Sequence, residues 1–408
     1  MEKRIERRIK RHSFLIVAVA FTSFFAIGLP TGAFTIAWGG MELDLGLVLA
    51  DSGTIIMVNT IAFAFSSSML GRLYKHTWLE NIDFFGTVIL ALGLLSIGLA
   101  PNLPVLVLAS ALAGIGAGLI DSSINTYMTQ FYTARHMNWL YAFWGAGSTL
   151  SPILMAQMVI RFSWRAGYFS LAAILGVVSI IILISLASGI WKSTKDIEAA
   201  NVHAAEEKAT EPIKRRYLTK KWHQVVEVLT CFIYGGMDYT FVFFTTVIME
   251  SRGVEFFALF PVIYYAFMMG GRMFFGWFAK WLSDMTTIRI GLGIAGAGVL
   301  VVLFTGNIAG MALAGFGFAP VFPSLLHDSS NRFAPRVLSR LVGYEVAAFG
   351  AGTAAIFYFL SLVLSYIPLD MLFPISLGLI ATTFILNEIL ERARKHAKAV
   401  TVDQSETK

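Results

Sequence analysis

One feature constrains this chain more than any other: long apolar runs recur from end to end, separated by short polar stretches. A helix needs about 20 apolar residues to cross the hydrocarbon core of a bilayer, and within lipid its backbone groups must be satisfied internally. Runs of that kind fall near 13–37, 47–70, 83–100, 104–130, 138–160, 167–191, 224–249, 256–279, 287–305, 308–327, 340–367 and 370–390. The expected fold is an all-α membrane protein with twelve transmembrane helices. Pro320 and Pro323 make the run at 308–327 the least regular. The run at 13–37 is too long for the apolar region of a secretory leader, and no clear small-residue cleavage site follows it, so it reads as a permanent span.

Composition agrees. Only 14% of the 408 residues are charged and 57% are hydrophobic, against roughly 25% charged in a soluble domain. The 36 glycines and 34 phenylalanines suit membrane helices, where small residues let backbones approach and rings anchor at interfaces. Cys231 is the single cysteine, which excludes an intramolecular disulfide and a cysteine-based metal site. The net charge of +6 raises the question of nucleic acid. The basic residues sit between apolar runs, however, and that is a topology signal.

With both termini cytoplasmic, 28 of the 31 Lys and Arg fall on the cytoplasmic side, leaving Arg161, Arg165 and Arg252 outside. A wrong span count would scramble that asymmetry. The longest polar stretch then divides the chain into an N-terminal six-helix bundle (1–191), a cytoplasmic middle loop (192–223), a C-terminal six-helix bundle (224–390) and a cytoplasmic tail (391–408).

The two halves repeat. Leu112-Ala113-Gly114-Ile115-Gly116 matches Leu313-Ala314-Gly315-Phe316-Gly317, Gly145-Ala146-Gly147-Ser148 matches Gly350-Ala351-Gly352-Thr353, and Gly71-Arg72-Leu73 matches Gly271-Arg272-Met273. The offsets are 201, 205 and 200 residues. Two pseudo-symmetric six-helix halves are the plan of many secondary transporters, with the substrate held near the midplane.

Twelve spans, a six-plus-six split, a basic middle loop and Gly-Arg pairs after span two and late in span eight resemble the major facilitator superfamily. Its cytoplasmic signature, Gly-x-Leu-x-Asp-Arg-x-Gly-Arg, is degraded here to Gly71-Arg72-Leu73-Tyr74-Lys75-His76, without the aspartate. Trp164-Arg165 before span six also fits. Within the superfamily the chain resembles the fucose–proton symporters and related sugar permeases. The residues that carry this are Asp121-Ser122-Ser123-Ile124-Asn125 in span four, Met137 to Gly147 in span five, Tyr234-Gly235-Gly236-Met237-Asp238 in span seven and Ala319 to Ser324 in span ten. Relatives often carry His where Tyr141 stands and Glu where Asp238 stands. The first span lacks the acid that the fucose symporter has there, so that part of the coupling scheme does not transfer.

Ionisable groups within a span are costly and ask for a reason. Asp121, Asp238 and Glu345 lie inside expected spans, whereas Asp51, Glu227 and Glu388 lie near span ends where water or headgroups reach. Asp121 has Asn125 one turn on, on the same helix face, and the resemblance implies a proton-binding acid there. Asp238 is a second protonation candidate. Tyr141, Trp144 and Ser148 form one helical stripe, fit to stack on a solute and bond its hydroxyls, or simply to pack. Asn59 and Tyr264 are further substrate candidates. Arg72, Arg272 and Glu345 read as gate residues at the cytoplasmic end, and His327-Asp328 with Asn331-Arg332 as caps or gate contacts.

The expected function is a secondary active transporter in the cell membrane. It moves a small neutral solute, a sugar by resemblance, in proton-coupled alternating access. The expectation is a monomer in the lipid bilayer with a small-molecule substrate, no cofactor, no metal and no nucleic acid, driven by the proton gradient. The chain has no Walker A loop, His-Glu-x-x-His or Gly-x-Ser-x-Gly, which argues against an ATP-driven pump or an enzyme. Two alternatives stand: a proton-coupled antiporter that expels drugs or organic cations, and a non-transporting membrane sensor on the same fold.

Overall fold

The computed structural model describes residues 2–132, 134–188, 218, 220–278, 281–333 and 335–406. Most of the expected middle loop lies outside them. The described chain is helical throughout: α1 (Glu2–Leu45), α2 (Leu49–Ser68), α3 (Leu70–Leu73), α4 (Leu79–Leu99), α5 (Leu103–Phe131), α6 (Ala134–Arg161), α7 (Trp164–Ala187), α8 (Lys221–Ser251), α9 (Leu259–Phe278), α10 (Asp284–Thr305), α11 (Ala309–Phe318), α12 (Val321–Arg332), α13 (Pro335–Leu364) and α14 (Leu372–Glu406).

Among the described residues, eleven helices are long and apolar enough to cross a membrane, one fewer than the runs in the sequence. The difference is α9. Its 20 residues cover about 30 Å at the α-helical rise, but Arg272, Pro261 and two tyrosines dilute its apolar character. The irregular run near 308–327 is two helices, α11 and α12, that meet at Ala319-Pro320. Proline lacks the N–H that would continue the ladder. Two expected ends move. The first helix runs on to Leu45, which brings Glu42 and Asp44 into it, and the last continues as helix to Glu406 rather than ending near 390.

Helix ends follow local chemistry. Asn102 and Ser163 cap α5 and α7 by accepting from Val105 N–H at 3.2 Å and Ala166 N–H at 3.3 Å. Ser283 caps α10 in the same way, and Gly306 ends it with φ of 61°, a backbone that favours glycine.

The chain forms two compact units: Met1–Leu47 with Val58–Pro212, and Val48–Met57 with Ile213–Lys408. The start of α2 therefore groups with the second unit. Gly53 permits this, because a Cβ there would fall on the Ser361 side chain.

Within the first unit α1 packs on α6, and α4 on α5 and α7; within the second, α8 packs on α13, and α10 on α11 and α14. Glycines set the crossings. Gly28 lies against the Trp144 carbonyl and Gly147 against the Phe25 carbonyl; in the second unit Gly235 lies against the Phe349 carbonyl and Gly352 against that of Phe232. A Cβ at Gly93 would come 2.5 Å from Ala113 N, and one at Gly298 2.5 Å from Ala314 N. Gly114 meets the Asn59 carbonyl just as Gly315 meets that of Tyr264. The repeat in the sequence is thus a repeat of backbone-to-backbone contacts, where van der Waals packing takes the place of a hydrophobic driving force.

Candidate functional site

In the first unit the polar residues of spans four and five come together. Asp121 and Asn125 lie one turn apart on α5, and the Asn125 side chain hydrogen-bonds the Asp121 carboxyl. The Tyr141 hydroxyl, on α6, donates to Asn125 Oδ1 at 3.2 Å. The result is a hydrogen-bonded chain from carboxyl to amide to phenol. Tyr141 is 39% exposed and packs edge-on to Phe24 at 5.6 Å between centroids. Trp144 is half-buried on the same stripe. Ser148 is fully buried and donates to backbone carbonyls, Gly28 O at 3.2 Å and Trp144 O at 3.1 Å. Asn59 spends its amide on the Ser110 carbonyl at 2.7 Å. Both hold helix crossings.

The sequence reading missed Asp83. It falls on the first residue of an expected span, where water would reach it. In the structure it is fully buried on α4 and accepts from Ser23 Oγ of α1 at 2.9 Å.

In the second unit Asp238 of α8 accepts a short hydrogen bond from the Tyr264 hydroxyl of α9. Tyr234, one turn before Asp238, donates to the Phe318 carbonyl at 2.7 Å. Arg272 stands on α9 two turns beyond Tyr264. It is close enough to act electrostatically on both the Asp238 carboxyl and the Tyr234 phenol. The sequence reads Arg272 as a gate residue at the cytoplasmic end; the fold adds its electrostatic effect on Asp238. Arg72, by contrast, is exposed on the short α3. Tyr264→Phe removes a buried donor from a carboxyl, a change of roughly 1–3 kcal/mol. The expected result is a thermal unfolding midpoint below that of wild type; an unchanged midpoint would mean that the bond holds nothing.

One end of the second unit holds a buried charge network. Arg332 of α12 is fully buried. Its Nη1 lies 3.0 and 2.8 Å from the two Glu227 oxygens, and its Nη2 lies 2.6 Å from Asp328 Oδ2 and 2.6 Å from Asn387 Oδ1. Arg394 binds Asp328 at 3.2 Å and Glu391 at 2.6 Å. Glu227 is thus fully buried rather than bathed at a span end. Glu345 of α13 is also fully buried and lies 2.6 Å from Ser329 Oγ. His327 and Asn331 contact Asp284 at 2.8 and 3.3 Å.

Within each unit an arginine ties a helix end. Arg165 binds Asp44 at 2.9 Å and the carbonyls of Gly98 and Ala100 at 3.1 and 2.7 Å, while its guanidinium lies 4.4 Å from the Trp164 ring centroid. Arg252 binds Asp370 at 2.6 Å. Among the described residues no group of His, Cys, Asp or Glu is arranged to hold a metal ion.

Helices long and apolar enough to cross a membrane, in two repeated units with acids buried inside each, define an integral membrane transporter. The chain belongs to the Major Facilitator Superfamily, whose family model matches residues 16–357. It is 28% identical over 140 residues to an MFS-type transporter, GME11371, of Pestalotiopsis microspora; the match covers 33% of this chain and 26% of that protein. The match therefore spans about a quarter of that relative's length. Crystal structures of peptide transporter POT share the fold. A mutant of POT superposes with a TM-score of 0.70 at 14% identity, covering 94% of this chain and 95% of that one. The sulfate complex of POT gives 0.67 at 12% identity, with 94% of each chain covered.

Proposed function

We propose that the chain moves a small solute by proton-coupled alternating access, that Asp121 is the coupling acid, and that the solute is a neutral, sugar-like molecule. The observation that carries the reading is the hydrogen-bonded chain from Asp121 through Asn125 to the partly exposed Tyr141. A carboxyl linked to an amide and a phenol joins protonation to the groups that would bind hydroxyls. An ionised Asp121 resists enclosure away from water and a neutral one permits it, which ties the proton to the conformational cycle. Tyr141 and Trp144 supply ring faces for the apolar side of a sugar. Asp238, bonded by Tyr264, serves as a second acid. The same reading takes the chain to be a monomer in a cell membrane, with both termini in the cytoplasm by the bias of Lys and Arg.

The test is reconstitution in liposomes with labelled monosaccharides and an inward proton gradient. Wild type accumulates a sugar against its gradient. Asp121→Asn abolishes accumulation while sugar exchange continues. Equal accumulation by wild type and Asp121→Asn removes Asp121 from the coupling role. Proton-driven extrusion of organic cations, with no sugar uptake, replaces symport by efflux.

A second reading rests on Arg272 acting on Asp238. A fixed cation beside a carboxyl suits a solute bearing both a carboxylate and an amine, because a guanidinium recognises carboxylates well. Short peptides have that chemistry, and the structural neighbours are named as peptide transporters. Competition between labelled sugar and dipeptides in the same liposomes separates the two.

A further inference from the structure

We propose that Glu345 is a proton-binding site of its own: its carboxyl is held as the neutral acid, donates to Ser329, and through that hydroxyl exchanges its proton with Glu227. The inference concerns the charge network of the second unit and does not rest on the transport reading above.

Ser329 Oγ lies 2.6 Å from Glu345 Oε1, 3.2 Å from Glu227 Oε1 and 3.2 Å from the Leu325 carbonyl. A hydroxyl has one hydrogen to donate. Three acceptors surround it, and the shortest contact is to Glu345. If Glu345 carries the hydrogen in that contact, Ser329 accepts it and is free to donate onward to Glu227 or Leu325. If Glu345 is ionised, one hydrogen serves three acceptors, and two of the contacts are oxygen against oxygen.

The groups around Glu345 are Glu227 and Cys231 from α8 and Asp328 and Arg332 from α12, with Glu391 and Arg394 of α14 behind Asp328. Arg332 acts on Glu345 from a distance, but its Nη atoms are engaged by Glu227, Asp328 and Asn387. Arg394 is engaged by Asp328 and Glu391. Four carboxyls thus face three cations, since Lys395 also lies 3.8 Å from Glu391; among the described residues none of the three is ion-paired to Glu345, and Glu345 Oε2 is buried with no hydrogen-bond partner. A buried ionised carboxylate with a single donor and no paired cation is the costliest arrangement open to the group; neutralising it removes that cost.

The transfer balances. The Glu345 O–H bond breaks and its proton goes to Ser329 Oγ. The Ser329 hydrogen moves to Glu227 Oε1. Glu345 is left as carboxylate, Glu227 as the acid and the serine hydroxyl as before. Arg332 keeps Asp328 as its ionised partner, so one negative charge shifts from α8 to α13 with no change in the total.

Infrared difference spectroscopy tests this on the full-length protein in lipid nanodiscs at neutral pH. Wild type minus Glu345→Gln is expected to show the loss of one protonated-carboxyl C=O stretch per chain. Loss of an ionised-carboxylate band instead overturns the proposal. Ser329→Ala guards against misfolding of the first variant: the same C=O band is expected to stay and shift, since its acceptor is gone, and an unshifted band overturns the donation to Ser329. Thermal stability supplies an independent arm. A neutral buried acid that ionises freely in the unfolded chain releases a proton on unfolding, so rising pH favours unfolding. Wild type is therefore expected to lose stability relative to Glu345→Gln as pH rises from the ordinary glutamate range to about neutral. Parallel curves overturn the proposal.

Discussion

Arg332→Leu is expected to lower the stability of the folded chain by about 3–5 kcal/mol, the usual cost of removing one partner from a buried ion pair. The guanidinium is fully buried and bonds Glu227, Asp328 and Asn387, which come from α8, α12 and α14. Its loss strands Glu227 in a place that water does not reach and leaves Asp328 to Arg394 alone. Glu227 must then ionise without a cation or take up a proton, and either costs free energy. The measurement is thermal unfolding in detergent or nanodiscs, followed by monodispersity on size exclusion. The double variant Arg332→Leu with Glu227→Gln is expected to recover part of the loss, because contacting residues in one network are not additive. A single variant as stable as wild type would show that the network contributes nothing to holding the second unit together.

Gly147→Val is the second large effect. Gly147 faces the Phe25 carbonyl on α1, and Gly28 of α1 returns the contact to Trp144. The obstructing atoms are backbone, so no side chain can swing aside. Overpacking a fitted site costs on the order of 1–3 kcal/mol and sometimes more, and a rigid neighbour puts this site at the upper end. Folded protein should fall sharply in yield and unfold at lower temperature. Gly176→Val provides the control: a Cβ there meets nothing within 4 Å, so its effect should be limited to helix propensity. Equal tolerance of both variants would show that the α1–α6 crossing has room to separate.

The fold was legible because its signal is local. A span is readable from about 20 consecutive residues, and the bias of Lys and Arg is a count over loops. The exception shows the same logic: α9 is a span by length, and only Arg272 and its tyrosines blur it. Polar residues were harder. Asp121, Asn125 and Tyr141 were found because helical periodicity and resemblance marked them, and the fold brings them together. Glu227 was read by its distance from a span end, and Asp83 was not singled out. Burial, however, is decided by what packs on that end: α1 covers Asp83, and α12 covers Glu227. Asp328 is one turn from Arg332, but its other partners, Glu227 and Asn387, are 105 and 55 residues away in sequence, so no local pattern announces them. The effect of Arg272 on Asp238 was hidden for a related reason: the two are 34 residues apart on different helices.

The reciprocal glycine contacts carry a consequence for genetics. Gly28 and Gly147 in one half have the same task as Gly235 and Gly352 in the other, although the surrounding side chains differ. In a library of all single substitutions selected for folded protein, the positions that accept nothing larger than alanine should form two sets in the same order, displaced by about half the chain. The tolerance profile would then correlate with itself at that displacement more strongly than the amino-acid sequence does. What the two halves have preserved, on this account, is a pattern of places where a side chain is forbidden.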